Sequence, residues 1–421
     1  MPNRYLPLYR CNLCVEDCPE NPEVFIVKFV DMNSHNAAAH PNQKPLRTLW
    51  WLFFLLYASI GVSFTFINVY YASIGLTGTQ IGLLSTIGAL TSMLGATLWG
   101  YLSDRTGQAR LILSIGGFLA GGLFFLTPYM RTFTALLALT IGIGVFTSSA
   151  FTLTDALTLT LLGDQRGHYG RYRLGGSLGY ILTASLGGFV YQRFGLTLIF
   201  PVYLVIMILL GIIALRLPVI QIPATTRQKA SLKGMVTQPA WLLFILCVFL
   251  VWTASAGFLN FLGVTIQDMG GTSSLIGLAG TIAAIMEIPF MYYSGWFLQR
   301  FGVTRILWIS MAFYALRLGL YSIMPSPYWV LGISALNGPT YVFFWNSAIS
   351  YAFQLSPAEY KATAQGLFVA TTNLSAMVGA LLSGWLYDTA GPSGMFRILT
   401  LFCLAAFVLF AFNRSPRIST V

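Results

Sequence analysis

Residues 100–107 read GYLSDRTG, and the same frame returns as GFVYQRFG at 188–195, GWFLQRFG at 295–302 and GWLYDTAG at 384–391. Each string is G-x6-G at the end of an apolar run. Successive copies start 88, 107 and 89 residues apart, so the first and third are offset by 195 and the second and fourth by 196. The chain is therefore two similar halves, each with two copies. Ile81-Gly82-Leu83 falls on Ile276-Gly277-Leu278 at the first of these offsets, which carries the match beyond a glycine-rich string. Glycines alone serve close helix packing; their return at a fixed offset says in addition that the halves share one architecture.

The 421 residues are 56% hydrophobic and 8% charged, where a soluble domain carries roughly 25% charged residues. A soluble fold of this length needs a far more polar surface. Apolar stretches of about 20 residues recur, the length that crosses a bilayer core as helix. Hydrocarbon offers the backbone no partners, so each segment must satisfy its own hydrogen bonds, which selects helices. The predicted fold is all-α, with about twelve transmembrane helices as four three-span units in two pseudo-symmetric six-helix bundles. The bundles are expected at 47–217 and 239–413, joined by a polar, basic linker at 218–238. A polar cytoplasmic extension, 1–46, precedes them and a short cytoplasmic tail, 414–421, follows.

A net charge of +11 invites a nucleic-acid reading in a soluble protein, but these charges alternate in short loops. Arg47, Arg105, Arg110, Arg171, Arg216, Arg300, Arg305 and Lys361 fall on one side, and little beyond Arg131, Arg193 and Arg397 on the other. The positive-inside rule then puts both termini in the cytoplasm and the chain in the cytoplasmic membrane. Its partners are the lipid bilayer, a small solute and protons; no nucleic acid is implied, and a monomer is expected.

The extension reads CNLCVEDCP at 11–19, part of an iron–sulfur ligand string with one cysteine missing. A metal or cluster at Cys11, Cys14 and Cys18 competes with a plain disordered tail, and Met32 opens a second candidate start. No secretory signal is expected, since the run Val24–Val30 is short and broken by Lys28. No cofactor and no metal site follow. Histidines occur only in the extension and one loop (His35, His40, His168), which excludes a histidine relay.

The first repeat continues as GYLSDRTGQAR and resembles the loop between the second and third spans of the major facilitator superfamily, G-x-x-x-D-R-x-G-[RK]-[RK]. Gly100, Asp104, Arg105, Gly107 and Arg110 match, while Gln108 and Ala109 stand at the basic pair. The resemblance implies a cytoplasmic gate in which Asp104 accepts charge-assisted hydrogen bonds from helix ends or arginines until the bundles rock. The stretch DALTLTLLGDQRGHYGRYRLGGSLGY at 155–180 is similar to the branch holding the lactose permease and phenylpropionate permeases. Asp155, Arg173 and Tyr180 keep that branch's spacing of acid, arginine and stacking aromatic, eighteen and then seven positions apart. Glu287 in MEIPF and Arg317 in FYALRLGL also agree with it, whereas Asn337 and Thr340 replace its histidine and glutamate in the tenth span.

Charged groups cost roughly 2.5–3.5 kcal/mol at a membrane centre on insertion scales, so mid-span charges read as functional. Asp155 is expected mid-span in the fourth helix and Arg173 near the start of the fifth, gripping a polar or anionic solute group; an intramolecular gate is the alternative. Tyr180 supplies an aromatic face, with Asn260, Trp345 and Asn346 completing the cavity. Glu287 is the acid for proton coupling, switched by movement of Arg317; a permanent ion pair that fixes packing is the alternative. Arg171, two positions from Arg173, is a loop-end anchor. The function expected is uptake of a sugar, nucleoside or aromatic acid by proton symport. Proton-antiport efflux competes, though the fifth span has Gly175, Gly176 and Gly179 without proline. A non-transporting sensor or scaffold is the alternative from another class. The chain carries no phosphate loop or nucleophile motif of an enzyme.

Overall fold

In each of the four repeats the last glycine ends a helix with a backbone that other residues resist. Gly107, Gly195, Gly302 and Gly391 have φ of 65°, 93°, 84° and 69°, values open to glycine at no steric cost. The repeat is thus a helix-ending device, and it divides the chain into crossings. The computed structural model describes residues 43–163, 168–218, 238–356 and 360–412. The cysteines of the extension, most of the linker and the tail lie outside the described residues.

Ten helices among the described residues are long and apolar enough to cross a membrane. Eight more or less regular crossings lie between Gly78–Thr106 (second) and Val303–Ser322 (ninth), preceded by Arg47–Ser73. The tenth helix found, Thr363–Ala411, breaks at Gly391 before Pro392 and so supplies two crossings, 363–390 and 392–411. Between them and the ninth, residues 329–355 form a composite: Trp329–Ser334, a π turn at Gly338–Val342 and Phe343–Leu355. Pro339 lacks an N–H, which explains why this crossing is not one continuous α-helix. The total is the twelve the sequence predicts, and the helices carry apolar outer faces suited to lipid, with Leu186 61% and Leu401 60% exposed.

Threonines start the helices at one end of the bundle. Thr77 caps the second span with a capping box to Gln80, and Thr132 and Thr272 accept from Ala135 and Leu275 at the starts of the fourth and eighth. At this same end the two halves meet. The second span packs on the eleventh, the fifth on the eighth, and Ile67–Ser73 on the seventh.

These contacts are made backbone to backbone. A Cβ on Gly82 would lie 2.4 Å from the carbonyl oxygen of Ala380, and one on Gly277 2.3 Å from that of Ala184. Hydroxyls add cross-half hydrogen bonds, Thr86 Oγ1 to Met377 O at 2.8 Å and Ser185 Oγ with Thr281 Oγ1 at 2.5 Å. These four glycine and hydroxyl contacts fall in the stretches 78–86, 184–188, 273–281 and 377–388. At the opposite end, Gly100 and Gly295 face open space. The halves are closed at one end and apart at the other.

Gly277→Ala forces a methyl group against a carbonyl that cannot yield, and overpacking of this kind costs roughly 1–3 kcal/mol. Purified Gly277→Ala is expected to melt below the parent protein in detergent, and Gly295→Ala to melt with it. Equal melting of Gly277→Ala and the parent would show that the halves do not touch here.

Candidate functional site

The amino half contributes its charges near the open end. Asp155 lies about two turns before Leu162, where the fourth span ends, not at the middle of its helix. The expectation of a mid-span position counted from hydropathy; the span is 30 residues long, so its polar end overhangs an apolar core of about 20. Tyr169, the first residue of the fifth span, donates its hydroxyl to Asp155 Oδ1 at 2.8 Å. One turn later Arg173 lies within hydrogen-bonding reach of the hydroxyls of Tyr169 and Tyr57, with its guanidinium carbon 5.9 Å from the Tyr57 ring centre. Asp155 and Arg173 are thus joined through Tyr169. Arg171 is exposed and takes no part in these contacts.

Tyr180 stands further toward the closed end, its hydroxyl 3.5 Å from Thr65 Oγ1. A Cβ on Gly280 of the eighth span would sit 2.9 Å from that hydroxyl, so the ring reaches the other half. Its electrostatic neighbour there is Glu287.

The carboxy half holds a connected polar chain. Arg317 is 2% exposed. Its NH1 donates to Asn337 Oδ1 at 2.5 Å and to Thr340 Oγ1 at 3.1 Å. Asn337 Nδ2 in turn donates to Glu287 Oε1 at 2.5 Å. The carboxylate and the guanidinium therefore meet through the amide, not as the direct ion pair weighed from sequence. The ring of Phe258 covers the guanidinium at 4.4 Å, which supplies a cation–π contact where lipid-like surroundings give little else. Arg317 Nε is buried without a hydrogen-bond partner among the described residues. Asn337 and Thr340 owe their placement to the break in the tenth crossing, one just before the π turn and one on it; such turns often mark functional sites.

The two sets are electrostatic neighbours. Arg173 lies within electrostatic range of Glu287, and Tyr341 within range of Glu287, Arg173 and Tyr57. Trp345, half-buried, belongs to an aromatic shelf, 5.2 Å from Trp252 and stacked on Tyr341 at 6.2 Å, with half-buried Asn346 next in the chain. Asn260 is engaged elsewhere. It accepts from Asn68 Nδ2 at 3.0 Å and donates to Ala256 O at 2.8 Å, tying the seventh span to the first. Sequence reasoning missed Tyr57, Tyr169 and Asn68. The polar Asn68 inside the apolar run TFINVYY was a usable signal, whereas the two tyrosines were hidden among many aromatics.

The loop of the first repeat lies at the open end. Gly107 caps the second span, donating its N–H to Ser103 O at 2.8 Å, and Arg110 NH1 donates to Leu217 O at 2.9 Å, which fastens the third span to the sixth. Asp104 and Arg105 are exposed, and Asp104 hydrogen-bonds to none of the described residues. A separate cleft of about 550 Å3 lies at the closed end, lined by Tyr70, Tyr191, Gln192, Gln267 and Thr272 among others. Its lining carries no Asp, Glu, Lys, Arg or His side chain. Among the described residues no cluster of His, Cys, Asp and Glu is placed to hold a metal ion.

The family described as MFS_1 like matches residues 46–398. The maltose permease of Geobacillus stearothermophilus is 28% identical, with 84% of this chain and 89% of that protein covered. A probable 3-phenylpropionic acid transporter of Escherichia coli strain K12 is 26% identical over 86% of this chain and 97% of its own. Among solved structures, nucleoside transporter NupG superposes with a TM-score of 0.75 at 18% identity, covering 89% of this chain and 99% of that one.

Removing the amide bridge isolates two groups at once. Asn337→Ala is expected to destabilise the protein by about 1–3 kcal/mol, the cost of unsatisfied buried polar groups. In a double-mutant cycle with Glu287→Gln, melting in detergent should give a coupling of about 0.5–3 kcal/mol. Strict additivity would mean that Asn337 does not join the two.

Proposed function

The chain belongs to the MFS_1 like family and is a membrane transporter of the major facilitator type; from that premise we propose that it carries a small organic solute by alternating access in symport with protons. The solute is a sugar, nucleoside or aromatic acid, and the membrane is the cytoplasmic one, with both termini in the cytoplasm. One observation carries this reading: the Arg173 guanidinium of one half lies within electrostatic range of Glu287 of the other, an acid linked through Asn337 to the buried Arg317.

Arg173 offers a planar fork that grips a carboxylate or paired hydroxyls, and the Tyr169–Asp155 bond holds a second polar partner beside it. Tyr180 and the Trp345 shelf present ring faces to the rest of the solute. Glu287 takes the proton. While ionised it is served by the Asn337 N–H; once neutral it no longer requires that donor, and the amide is released to follow Arg317, whose N–H Thr340 continues to accept. A rocking motion that repacks the broken tenth crossing then moves acid and arginine apart or together, which is what coupling requires. The relatives named for maltose and for 3-phenylpropionic acid support a polar or aromatic cargo. With basic loops in the cytoplasm, the open end carrying Asp104 faces inward, and a single chain, acting as a monomer, holds the whole cavity.

Purified protein screened by thermal shift against sugars, nucleosides and aromatic acids is expected to show one responding class, and Arg173→Ala to weaken that response about ten- to a hundredfold. An unchanged response in Arg173→Ala would remove this residue from the site. In proteoliposomes, Glu287→Gln is expected to abolish accumulation driven by a pH gradient while solute exchange continues. Accumulation that survives would place the coupling proton elsewhere.

A further inference from the structure

Fifth in each copy of the repeat stand Asp104, Gln192, Gln299 and Asp388. In the second and fourth copies this residue reaches across to the other half. Asp388 Oδ1 accepts the backbone N–H of Gly78 at 2.6 Å, and Oδ2 accepts both the backbone N–H and the hydroxyl of Thr79, at 2.7 and 2.6 Å. Gly78 and Thr79 open the second span. The first N–H groups of a helix have no intrahelical acceptor and stand at its positive end. One carboxylate of the carboxy half therefore completes the start of a helix of the amino half.

The internal repeat supplies a second, independent instance. Gln192 accepts the hydroxyl of Ser274, the second residue of the eighth span. Gly78 and Thr79 correspond to Ser273 and Ser274 at the offset of 195, and Gln192 to Asp388 at 196. Both clasps sit beside the first glycine of their own repeat, where the backbones touch: a Cβ on Gly384 would lie 2.2 Å from Gly78 O, and one on Gly188 2.7 Å from Ser273 O. At the open end, a Cβ on the pseudo-symmetric Gly100 or Gly295 would meet none of the described residues within 4 Å. The same device is present at both ends of the molecule and engaged at one.

We propose that Asp388 is a positioning residue of the transport cycle, a clasp that holds the closed end shut through the start of the second span and must let go before that end opens. Gln192 is its weaker, uncharged counterpart on the eighth span. The proposal rests on alternating access and is independent of which solute or ion is carried.

The test measures the halves directly, without a solute. Arg131 and Tyr328, exposed in loops of opposite halves at the closed end, are changed to cysteine in a chain whose native cysteines are serine, spin-labelled, and their separation measured by double electron–electron resonance in liposomes. The parent is expected to show mainly the short separation. Asp388→Ala should raise the long-separation population relative to the short on the order of tenfold, as befits loss of hydrogen bonds to a charged group, with Asp388→Asn between. Gln192→Glu, which places a charge at the start of the eighth span, should move the ratio the opposite way. Should Asp388→Ala fail to fold, the asparagine and glutamate variants decide. The proposal is overturned by an unchanged ratio in Asp388→Asn, or by Gln192→Glu and Asp388→Asn shifting in the same direction; a general loss of stability does not produce opposite movements.

Discussion

The two halves of this transporter meet at glycines that bring backbone against backbone. Gly82 lies against the backbone of Ala380 and Gly277 against that of Ala184. Without a hydrophobic drive between helices in lipid, such close approach, with hydroxyl bonds such as Thr86 to Met377, is what association depends on. Because these small residues lie toward one end of each long helix, contact is confined to that end, and the space between the halves opens at the other. The position of the charged cavity follows from this geometry.

Within that cavity the governing cost is the buried guanidinium of Arg317. A carboxylate placed directly on it would form a stiff pair, hard to part during transport, and in low dielectric the penalty for breaking such a pair is several kcal/mol. Interposing Asn337 changes the balance. Each charge keeps a hydrogen bond, Phe258 covers the guanidinium, and the link runs through a neutral amide that can exchange partners. The amino half uses a similar arrangement with a hydroxyl, Tyr169, between Asp155 and the neighbourhood of Arg173. Both halves thus hold opposite charges near one another without clamping them.

Most of the fold was legible because membrane helices announce themselves by length and apolarity and because G-x6-G returns at fixed offsets. The broken tenth crossing was less so, since its apolar composition hides a π turn that only Gly338-Pro339 hints at. For the site, the spacing of Asp155, Arg173 and Tyr180 and the isolated charges Glu287 and Arg317 singled out these residues, and in the structure Glu287 has Arg173, Arg317 and Tyr180 as electrostatic neighbours. What composition could not show was mediation. Asn337 and Thr340 read as departures from a known pattern, yet Asn337 links Glu287 to Arg317 and Thr340 accepts from the same guanidinium; Asn260 read as a lining residue, yet Asn68 hydrogen-bonds to it. A neutral amide gives no signal by charge or periodicity, so its partner must be seen.

Gly100 and Gly295 carry a different kind of information. Each could hold a larger side chain in the present arrangement, for nothing lies near enough to forbid it, while their counterparts Gly188 and Gly384 have no such latitude. Tolerance to a larger side chain is therefore unequal among the four copies, and it is set by which end of the bundle a copy occupies rather than by the copy's own sequence.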